Sequence, residues 1–319
     1  MKDAFVTGGC GFIGSHLIDR LLADGCSVSN VDSLATGVKE YVAHHDGNKS
    51  LKNHYFDLKD LAKVEGAMAG CDTVFHFAAN ADIRRGLDDT FRDLERNVIT
   101  TYNVLESMRK HDVKDIVFAS SAAVYGDQKT FPTPEDAPKT QTSFYGASKL
   151  SCEAFIEAFC EAYGMRSWMF RFVSVVGERH PHGVTYDFVK KLLANPRELE
   201  IFGDGRQRKS FLHVQDCVDG FMHAHKHAKG KVNVFNIGNV DTITVSRVAD
   251  IIVEEMGLKG VRFNYTGGDR GWIGDAPVVH LSIQRLRVLG WEPKIGVEEG
   301  IRRTARWLLA NKWIYDKRR

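Results

Sequence analysis

Three side chains near the middle of the chain have the types and spacing needed for proton transfer. Tyr145 and Lys149, in Tyr145-Gly146-Ala147-Ser148-Lys149, lie one helical turn apart. A free tyrosine has a pKa of about 10, too high for a base at neutral pH, but a neighbouring ammonium stabilises the phenolate. Ser121 follows an apolar run that predicts a buried strand, which places it at the carboxyl edge of a sheet. Together they predict a tyrosine base; a surface Tyr/Lys pair is the alternative for the pair alone.

A glycine-rich turn near the N-terminus predicts a dinucleotide site. Glycines let the backbone approach a diphosphate, and a helix N-terminus offers free N–H groups to it. The expected contacts in this turn are Gly8, Gly11, Phe12, Ile13 and Gly14. Asp32, at the end of the second predicted strand, suits a ribose diol and would repel a 2′-phosphate. NAD is therefore favoured over NADP; a purely structural turn with Asp32 as a helix cap is the alternative.

Two further segments are candidates for cofactor contact. Asp57-Leu58 follows the third predicted strand and could contact adenine, although Asp57 could equally cap a helix beginning near Lys59. Ala78 lies in the run Phe75 to Asn80, whose small residues would let backbone lie along a cofactor or let a helix pack closely.

These residues need a parallel sheet to bring them together. Short β-branched runs alternate with segments of helical period, the pattern of βαβ units. The predicted strands are Ala4–Thr7, Ser27–Val31, His54–Phe56, Thr73–Phe77, Asp115–Ala119, Arg166–Phe172 and Val234–Ile237. The predicted helices are Phe12–Ala23, Leu61–Met68, Val98–His111, Tyr145–Tyr163 and Gln215–Lys226. We expect an α/β fold with a Rossmann-type doubly wound parallel sheet and a smaller, interleaved C-terminal substrate-binding domain.

Composition excludes several classes of protein. The 319 residues carry 43 Lys+Arg against 41 Asp+Glu, a balance that gives no reason to expect nucleic acid or a membrane as partner. The six cysteines contain no C-x-x-C pair, and the N-terminus lacks an apolar signal segment, so we expect a reduced cytoplasmic protein. His223 and His227 share a helix face without an evident third ligand, so no metal is expected.

The sequence resembles the extended short-chain dehydrogenase/reductase family of nucleotide-sugar enzymes, especially proteins like UDP-glucose 4-epimerase. The resemblance covers nearly the whole chain. Its motifs are Thr7–Gly14, Asp32, His76–Ala79, Asn97, Ser121–Gly126, Tyr145 with Lys149, Phe202–Gly205, Phe211–Val214 and Leu289–Pro293. It implies that Tyr145 takes a proton from a sugar hydroxyl while hydride passes to bound NAD. Ser121 would hydrogen-bond the same oxygen, Lys149 would also hold the nicotinamide ribose, and Asn97 would join the cofactor site.

The resemblance also implies a domain division and an assembly. Residues 1–172 would bind NAD, with a returning segment at 211–240, and residues 173–210 and 241–319 would bind a nucleotide sugar. Relatives commonly form homodimers through two helices that correspond to Val98–His111 and Tyr145–Tyr163. We therefore expect a homodimer that binds a nucleoside-diphosphate sugar, with UDP as the favoured nucleotide.

Departures from the family's patterns bear on the substrate. Sugar 4,6-dehydratases carry Asp-Glu after the catalytic hydroxyl, whereas this chain has Ala122-Ala123, which disfavours dehydration. Lys209 and Arg270 are candidate phosphate contacts, although for each the alternative is a solvated surface charge. Ser174 stands where relatives often have asparagine, and Tyr186 and Phe202 are candidates for packing on the base.

The sequence favours a nucleotide-sugar 4-epimerase of the UDP-glucose/UDP-galactose type. A UDP-uronic acid 4-epimerase is an alternative if Arg84-Arg85 and the segment Arg179–Tyr186 line the sugar pocket. Another nucleotide-sugar oxidoreductase or decarboxylase is a further alternative. A non-catalytic NAD-binding protein is disfavoured, since it would not need Ser121, Tyr145 and Lys149.

Overall fold

The computed structural model describes residues 1–80, 86, 88–271 and 275–317. Its strands are β1 (Asp3–Thr7), β2 (Ser27–Asp32), β3 (Leu51–Tyr55), β4 (Thr73–His76), β5 (Asp115–Ala119), β6 (Arg166–Phe172), β7 (Ser174–Val176), β8 (Glu198–Ile201), β9 (Arg208–Lys209), β10 (Phe211–His213), β11 (Val232–Ile237), β12 (Ile243–Thr244), β13 (Arg262–Tyr265) and β14 (Val278–Val279). Its α-helices are α1 (Phe12–Ala23), α2 (Leu61–Met68), α3 (Phe91–Asp93), α4 (Thr100–Lys110), α5 (Phe144–Tyr163), α6 (Gly183–Ala194), α7 (Val214–His227), α8 (Val245–Glu255), α9 (Gln284–Val288), α10 (Val297–Ala310) and α11 (Ile314–Lys317).

A seven-stranded sheet in the order β11-β6-β5-β4-β1-β2-β3 forms the main layer. Neighbouring strands from β3 through β6 run parallel. The central strands are continuous apolar runs, as expected where helices cover both faces: Ala4, Phe5 and Val6 of β1 are fully buried. The expectation of an α/β fold with a Rossmann-type parallel sheet is confirmed.

Strand order places the candidate site. The chain turns outward in opposite directions from β1 and β4, which are adjacent, and ligands of open α/β sheets bind beyond the carboxyl ends of strands at such a switch point. The glycine turn follows β1, Asp32 ends β2, Ala78 follows β4, and Ser121 follows β5. The carboxyl edge of the sheet therefore carries these four candidate cofactor and catalytic residues or turns.

Two elements differ from the sequence prediction. The third strand runs Leu51–Tyr55 and not His54–Phe56; it is an edge strand of half-buried polar residues, so no apolar run marks it. The helix expected to begin at Val98 begins as α4 at Thr100, but α3 and a π-helical turn over Leu94–Ile99 precede it, so the continuous helical segment starts at Phe91. Such turns are often found at functional sites, and this one carries Asn97.

The chain divides into two compact units. The first comprises residues 1–126, 138–171 and 221–235, and the second residues 127–137, 172–220 and 236–319. Residues 221–235 thus belong to the first unit and residues 127–137 to the second, while the assignment of the units to NAD and to a nucleotide sugar stays a prediction. In the second unit, small sheets β10-β7, β12-β9-β14 and β13-β8 accompany helices α6, α8 and α10, which pack together.

Two global properties follow from the described residues. Within them, no helix is both long and apolar enough to span a membrane. All six cysteines are free thiols, and five of them are buried.

Candidate active site

Helix α5 carries two of the three predicted catalytic side chains. Ser143 caps the helix, its side chain accepting a hydrogen bond from the backbone N–H of Gly146 at 3.0 Å. One turn apart on this helix, Tyr145 hydrogen-bonds the Ser121 hydroxyl, and Lys149 Nζ donates to the carbonyl of Ala119 at 2.7 Å. The structure therefore brings Ser121, Tyr145 and Lys149 together at the end of β5.

The protein environment alone does not make Tyr145 a phenolate. Desolvation raises the pKa of Tyr145 to about 12; the hydrogen bond with Ser121 lowers it, and Asp93 raises it. Desolvation lowers the pKa of Lys149 to about 8, while Cys152, Asp93 and Glu153 act in the opposite direction. Lys149 is not among the groups that shift the pKa of Tyr145 here, so the expected activation by Lys149 is not seen in the protein environment alone.

A buried polar network behind this site was missed by the sequence analysis. Asp93 is 1% exposed and accepts hydrogen bonds from the side-chain amides of Asn80 at 2.8 Å and Asn97 at 3.3 Å. Asn97 also donates to Ser148 at 2.8 Å and accepts from the backbone N–H of Asn80. Asn97 thus ties the segment after β4 to helix α5. No local pattern in the sequence marks Asp93.

His76 belongs to the same interior and is held neutral. Its Nδ1 lies 2.7 Å from the hydroxyl of Thr7, and its Nε2 lies 2.9 Å from that of Thr101. Burial, with a smaller contribution from Lys149, lowers the pKa of His76 to about 3. This histidine therefore links β1, β4 and α4 and is uncharged at neutral pH.

The glycine turn has the shape and donors that a diphosphate requires. Gly8 has φ +74°, and a Cβ there would lie 2.8 Å from the backbone nitrogen of Ala78. Gly11, which caps α1, makes no side-chain hydrogen bond to the first turn, an arrangement typical of helix N-termini that bind anions. A Cβ on Gly14 would lie 2.2 Å from the carbonyl oxygen of Gly8, so this close approach of helix and turn demands glycine.

Asp32 lies beside this turn with its carboxylate already oriented. Its two oxygens accept hydrogen bonds from the backbone N–H groups of Cys10 at 3.0 Å and Leu34 at 2.8 Å. Desolvation raises the pKa of Asp32, and these two hydrogen bonds oppose that shift. Leu34 has φ +58°, unusual for a residue with a side chain. The carboxylate and the turn fit the ribose and diphosphate of NAD.

The remaining cofactor candidates, among them Asp57, Leu58 and Ala78, differ in which of their groups a ligand could reach. Asp57 accepts from the backbone N–H of Lys59, and the N-cap of α2 is Asp60, so the capping interpretation of Asp57 was wrong. The Leu58 side chain is 6% exposed and packs in the core, which leaves only its backbone for a ligand. Ala78 is half-buried next to Gly8, and Phe12 and Ile13 begin α1.

In the second unit, the two candidate phosphate ligands are ion-paired. Lys209 Nζ donates to Asp275 at 2.6 Å and also to the carbonyl oxygen of Ala276. Arg270 donates to Asp127 at 2.8 Å and to the carbonyl oxygen of Asp275. Lys209, with a side chain 13% exposed, is not the solvated surface charge considered as the alternative, whereas Arg270 is 38% exposed in a surface ion pair, which fits that alternative. To bind phosphate, each would have to exchange a carboxylate partner that the sequence analysis did not identify.

The other candidate substrate residues have different settings in this unit. Ser174 is exposed at the start of β7, and Phe202 is 45% exposed with Lys191 Nζ 4.3 Å from its ring centroid. Tyr186 is 5% exposed and packs on Tyr315 with ring centroids 4.8 Å apart, which leaves little of it for a base. Arg179 has φ +63°, a strained backbone in the segment proposed to line the sugar pocket. Arg84 and Arg85 lie outside the described residues.

One group of described side chains has the composition of a metal site. Oδ1 of Asp19 lies 2.9 Å from Nε2 of His44 and 2.8 Å from Nε2 of His45. The helical pair considered from the sequence, His223 and His227, instead stack with ring centroids 4.2 Å apart.

Comparison with known proteins identifies the family. Residues 4–238 match the NAD dependent epimerase/dehydratase family. The UDP-glucose 4-epimerase of Mycolicibacterium smegmatis is 33% identical over 94% of this chain and 96% of its own length. A crystal structure of a UDP-galactose 4-epimerase has a TM-score of 0.87 and 38% identity, covering 98% of this chain and 100% of that one. That of the UDP-glucose 4-epimerase of Thermotoga maritima, with UDP-glucose, has a TM-score of 0.88 and 32% identity, covering 97% and 99%. The chain belongs to the NAD-dependent epimerase/dehydratase family and uses NAD with nucleotide sugars.

Proposed function

We propose that this member of the NAD-dependent epimerase/dehydratase family is a nucleotide-sugar 4-epimerase of the UDP-glucose/UDP-galactose type. The observation that carries the proposal is the contact of Ser121 with Tyr145, which lies one helical turn from Lys149. In the chain, Ser121 is followed directly by Ala122 and Ala123. These alanines have no proton to give or take, so the constellation supports oxidation and reduction at one carbon and offers no acid or base for loss of water. The relatives described above are 4-epimerases, which supports the same assignment.

The proposed reaction oxidises C4 and then reduces it again, so one turnover has no net redox change. Bound NAD, held by the glycine turn and Asp32, would supply the hydride acceptor for C4 and a positive charge that lowers the pKa of a neighbouring phenol. Tyr145 takes the hydroxyl proton as the C4–H bond breaks, which leaves a 4-keto sugar, and Ser121 donates a hydrogen bond to the same oxygen. Lys149 favours the phenolate form of Tyr145. When the rotated keto sugar is reduced again on its other face, Tyr145 would return the proton to the same oxygen.

We assign roles to the two units on the same grounds. The first unit, with the glycine turn, Asp32 and Tyr145, binds NAD and carries the catalytic residues. The second unit supplies the nucleotide-sugar contacts, among them Lys209 and Arg270 after exchange of their carboxylate partners, with Ser174 and Phe202 as further candidates. The UDP-uronic acid alternative rests on Arg84, Arg85 and the segment around Arg179, and no contact among the described residues favours it.

The proposal is tested by incubating the purified protein with a panel of nucleotide sugars and no added cofactor. We expect proton NMR to show UDP-glucose and UDP-galactose interconverting without net formation of NADH. Conversion of UDP-glucuronic acid alone would select the uronic acid alternative, and a 4-keto-6-deoxy product would indicate dehydration. No change with any sugar, in protein that retains NAD, would refute the proposed activity.

We also propose that the enzyme is a homodimer in the cytoplasm. Helix α5 exposes Ala154, Phe155 and Ala158, and Tyr102 of α4 is 44% exposed next to them, its ring 6.3 Å from that of Phe159. An apolar face of this kind is typical of an interface between copies. Sedimentation equilibrium should give about twice the monomer mass of 35.8 kDa, and Phe155→Glu should lower it. A wild-type mass of one chain would exclude the dimer; the cytoplasmic location stays a prediction.

A further inference from the structure

A buried ion pair lies on the face of α5 that carries Tyr145 and Lys149. Glu153 is one turn beyond Lys149, and its side chain is 2% exposed, while that of Arg171 on β6 is 4% exposed. Arg171 donates to both carboxylate oxygens of Glu153, at 3.0 and 2.7 Å, and to the phenol oxygen of Tyr125 at 2.9 Å. Such a pair is weak evidence for stability, because removing two charges from water costs about as much as their attraction returns. Its position therefore calls for another explanation.

The ion pair reaches the active site through Ser120. The Ser120 hydroxyl is 2% exposed and donates to Oε1 of Glu153 at 2.5 Å. The residues on either side of Ser120 also hydrogen-bond α5: the Ala119 carbonyl accepts from Lys149, and the Ser121 hydroxyl contacts Tyr145. Ala119, Ser120 and Ser121, the last residue of β5 and the two after it, thus contact three successive turns on one face of α5.

Two of these three links involve groups that take part in catalysis, so they cannot serve as fixed supports. Tyr145 gains and loses a proton during turnover, and Lys149 must keep its charge beside it. The hydrogen bond from Ser120 to Glu153 involves no group that reacts. Arg171 forms an ion pair with the Glu153 carboxylate, so the carboxylate continues to accept the Ser120 hydrogen bond. Ser121 has an extended backbone, with φ −155° and ψ 151°, so fixing Ser120 fixes the direction of the next side chain.

We propose that Glu153 and Ser120 are positioning residues that hold the Ser121 hydroxyl in register with Tyr145. Arg171 and Tyr125 complete the support by fixing the Glu153 carboxylate. The proposal deepens the proposed function and rests on it, since the register matters only if Ser121 and Tyr145 share a substrate oxygen. Misplacing a catalytic group by about 1 Å can slow a reaction about 100-fold, so a support of this kind has a measurable effect.

Ser120→Ala is the sharpest test, because it removes the link and leaves the Arg171–Glu153 pair intact. We measure the absorbance of NADH formed in the first hydride transfer from saturating UDP-glucose, a step that epimerases and dehydratases share. The expected rate is at least 10-fold below wild type, with KM within twofold and an unchanged melting temperature. Ser107→Ala is the matched control: Ser107 is fully buried and donates to the carbonyl oxygen of Asn103 at 2.8 Å. Its rate should equal that of wild type.

Glu153→Gln separates positioning from folding. This variant keeps an acceptor for Ser120 but leaves the charge of Arg171 uncompensated. Its melting temperature should therefore fall further than that of Ser120→Ala, and its rate of NADH formation should fall less. A Ser120→Ala rate within twofold of wild type, or an equal loss in Ser107→Ala, would overturn the proposal.

The test stays informative if the proposed epimerase activity fails. NADH formed without a 4-epimer would refute the proposed function and still report on Ser120. If no sugar yields NADH, crystal structures of wild type and Ser120→Ala with NAD decide: we expect Ser121 to leave hydrogen-bonding distance of Tyr145 in the variant. An unchanged Ser121–Tyr145 contact would overturn the positioning role.

Discussion

Tyr145→Phe is expected to reduce turnover by about 10²- to 10⁴-fold, the range typical of a lost general acid–base catalyst. The substitution removes one oxygen from a half-buried side chain and leaves the ring in place, so the fold and NAD binding should be retained. Single-turnover formation of NADH and steady-state epimerisation should fall together, because both directions need the same proton carrier.

The pH dependence of the first hydride transfer provides a second measure of the same role. Only the phenolate of Tyr145 accepts a proton, and the protein environment raises the pKa of this residue to about 12. The wild-type rate should therefore rise with pH from acidic toward neutral solution, and it should level off where the nicotinamide charge has brought the phenol to its working pKa. In Tyr145→Phe this rise should disappear.

Tyr163→Phe is the matched control for Tyr145→Phe. Tyr163 ends the same helix, is 45% exposed, and packs its ring on Phe159 with centroids 5.3 Å apart. Its turnover and melting temperature should match those of wild type. A Tyr145→Phe variant that keeps more than a tenth of wild-type turnover would remove Tyr145 from the mechanism.

The parts of this molecule that sequence could predict are those where a local rule decides the structure. Gly8 and Gly14 are required by the backbone of a single turn, and the spacing of Tyr145 and Lys149 is a property of one helix. The buried strands were found because both of their faces are apolar. Strand β3 was misplaced because it lies at the sheet edge and three of its five residues, Lys52, Asn53 and His54, are polar.

The parts that sequence could not predict depend on partners distant along the chain. Lys209 and Arg270 were predicted as phosphate contacts or solvated surface charges, and their ion pairs with Asp275 and Asp127 were not foreseen. Similarly, Arg171 and Ser120 both hydrogen-bond Glu153 only because β5 and β6 are neighbours in the sheet. Glu153 itself could have been found, since it continues the spacing of Tyr145 and Lys149 by one turn.

Gly14→Ala is expected to abolish NAD retention. The added methyl would lie 2.2 Å from the carbonyl oxygen of Gly8 and 2.8 Å from the Cα of Gly9, both backbone atoms. Gly8 cannot easily yield, because its N–H donates to Val31 at 2.8 Å and its carbonyl accepts from Gly11 at 3.0 Å. The turn must therefore open, which removes the N–H groups of α1 from the diphosphate and costs about 1 to 3 kcal/mol of folding free energy through overpacking.

Gly66→Ala distinguishes this steric effect from a general effect of alanine in helices. Gly66 is exposed in α2, and a Cβ there would meet nothing within 4 Å. Alanine at this position should stabilise the protein by about 1 kcal/mol and leave NAD bound, because it only improves helix propensity. Bound NAD is measured by absorbance after denaturation, with circular dichroism and thermal melting as checks on folding. If folded Gly14→Ala retained stoichiometric NAD, the diphosphate could not depend on the close contact of α1 with the Gly8 turn, and the cofactor assignment of this turn would have to be abandoned.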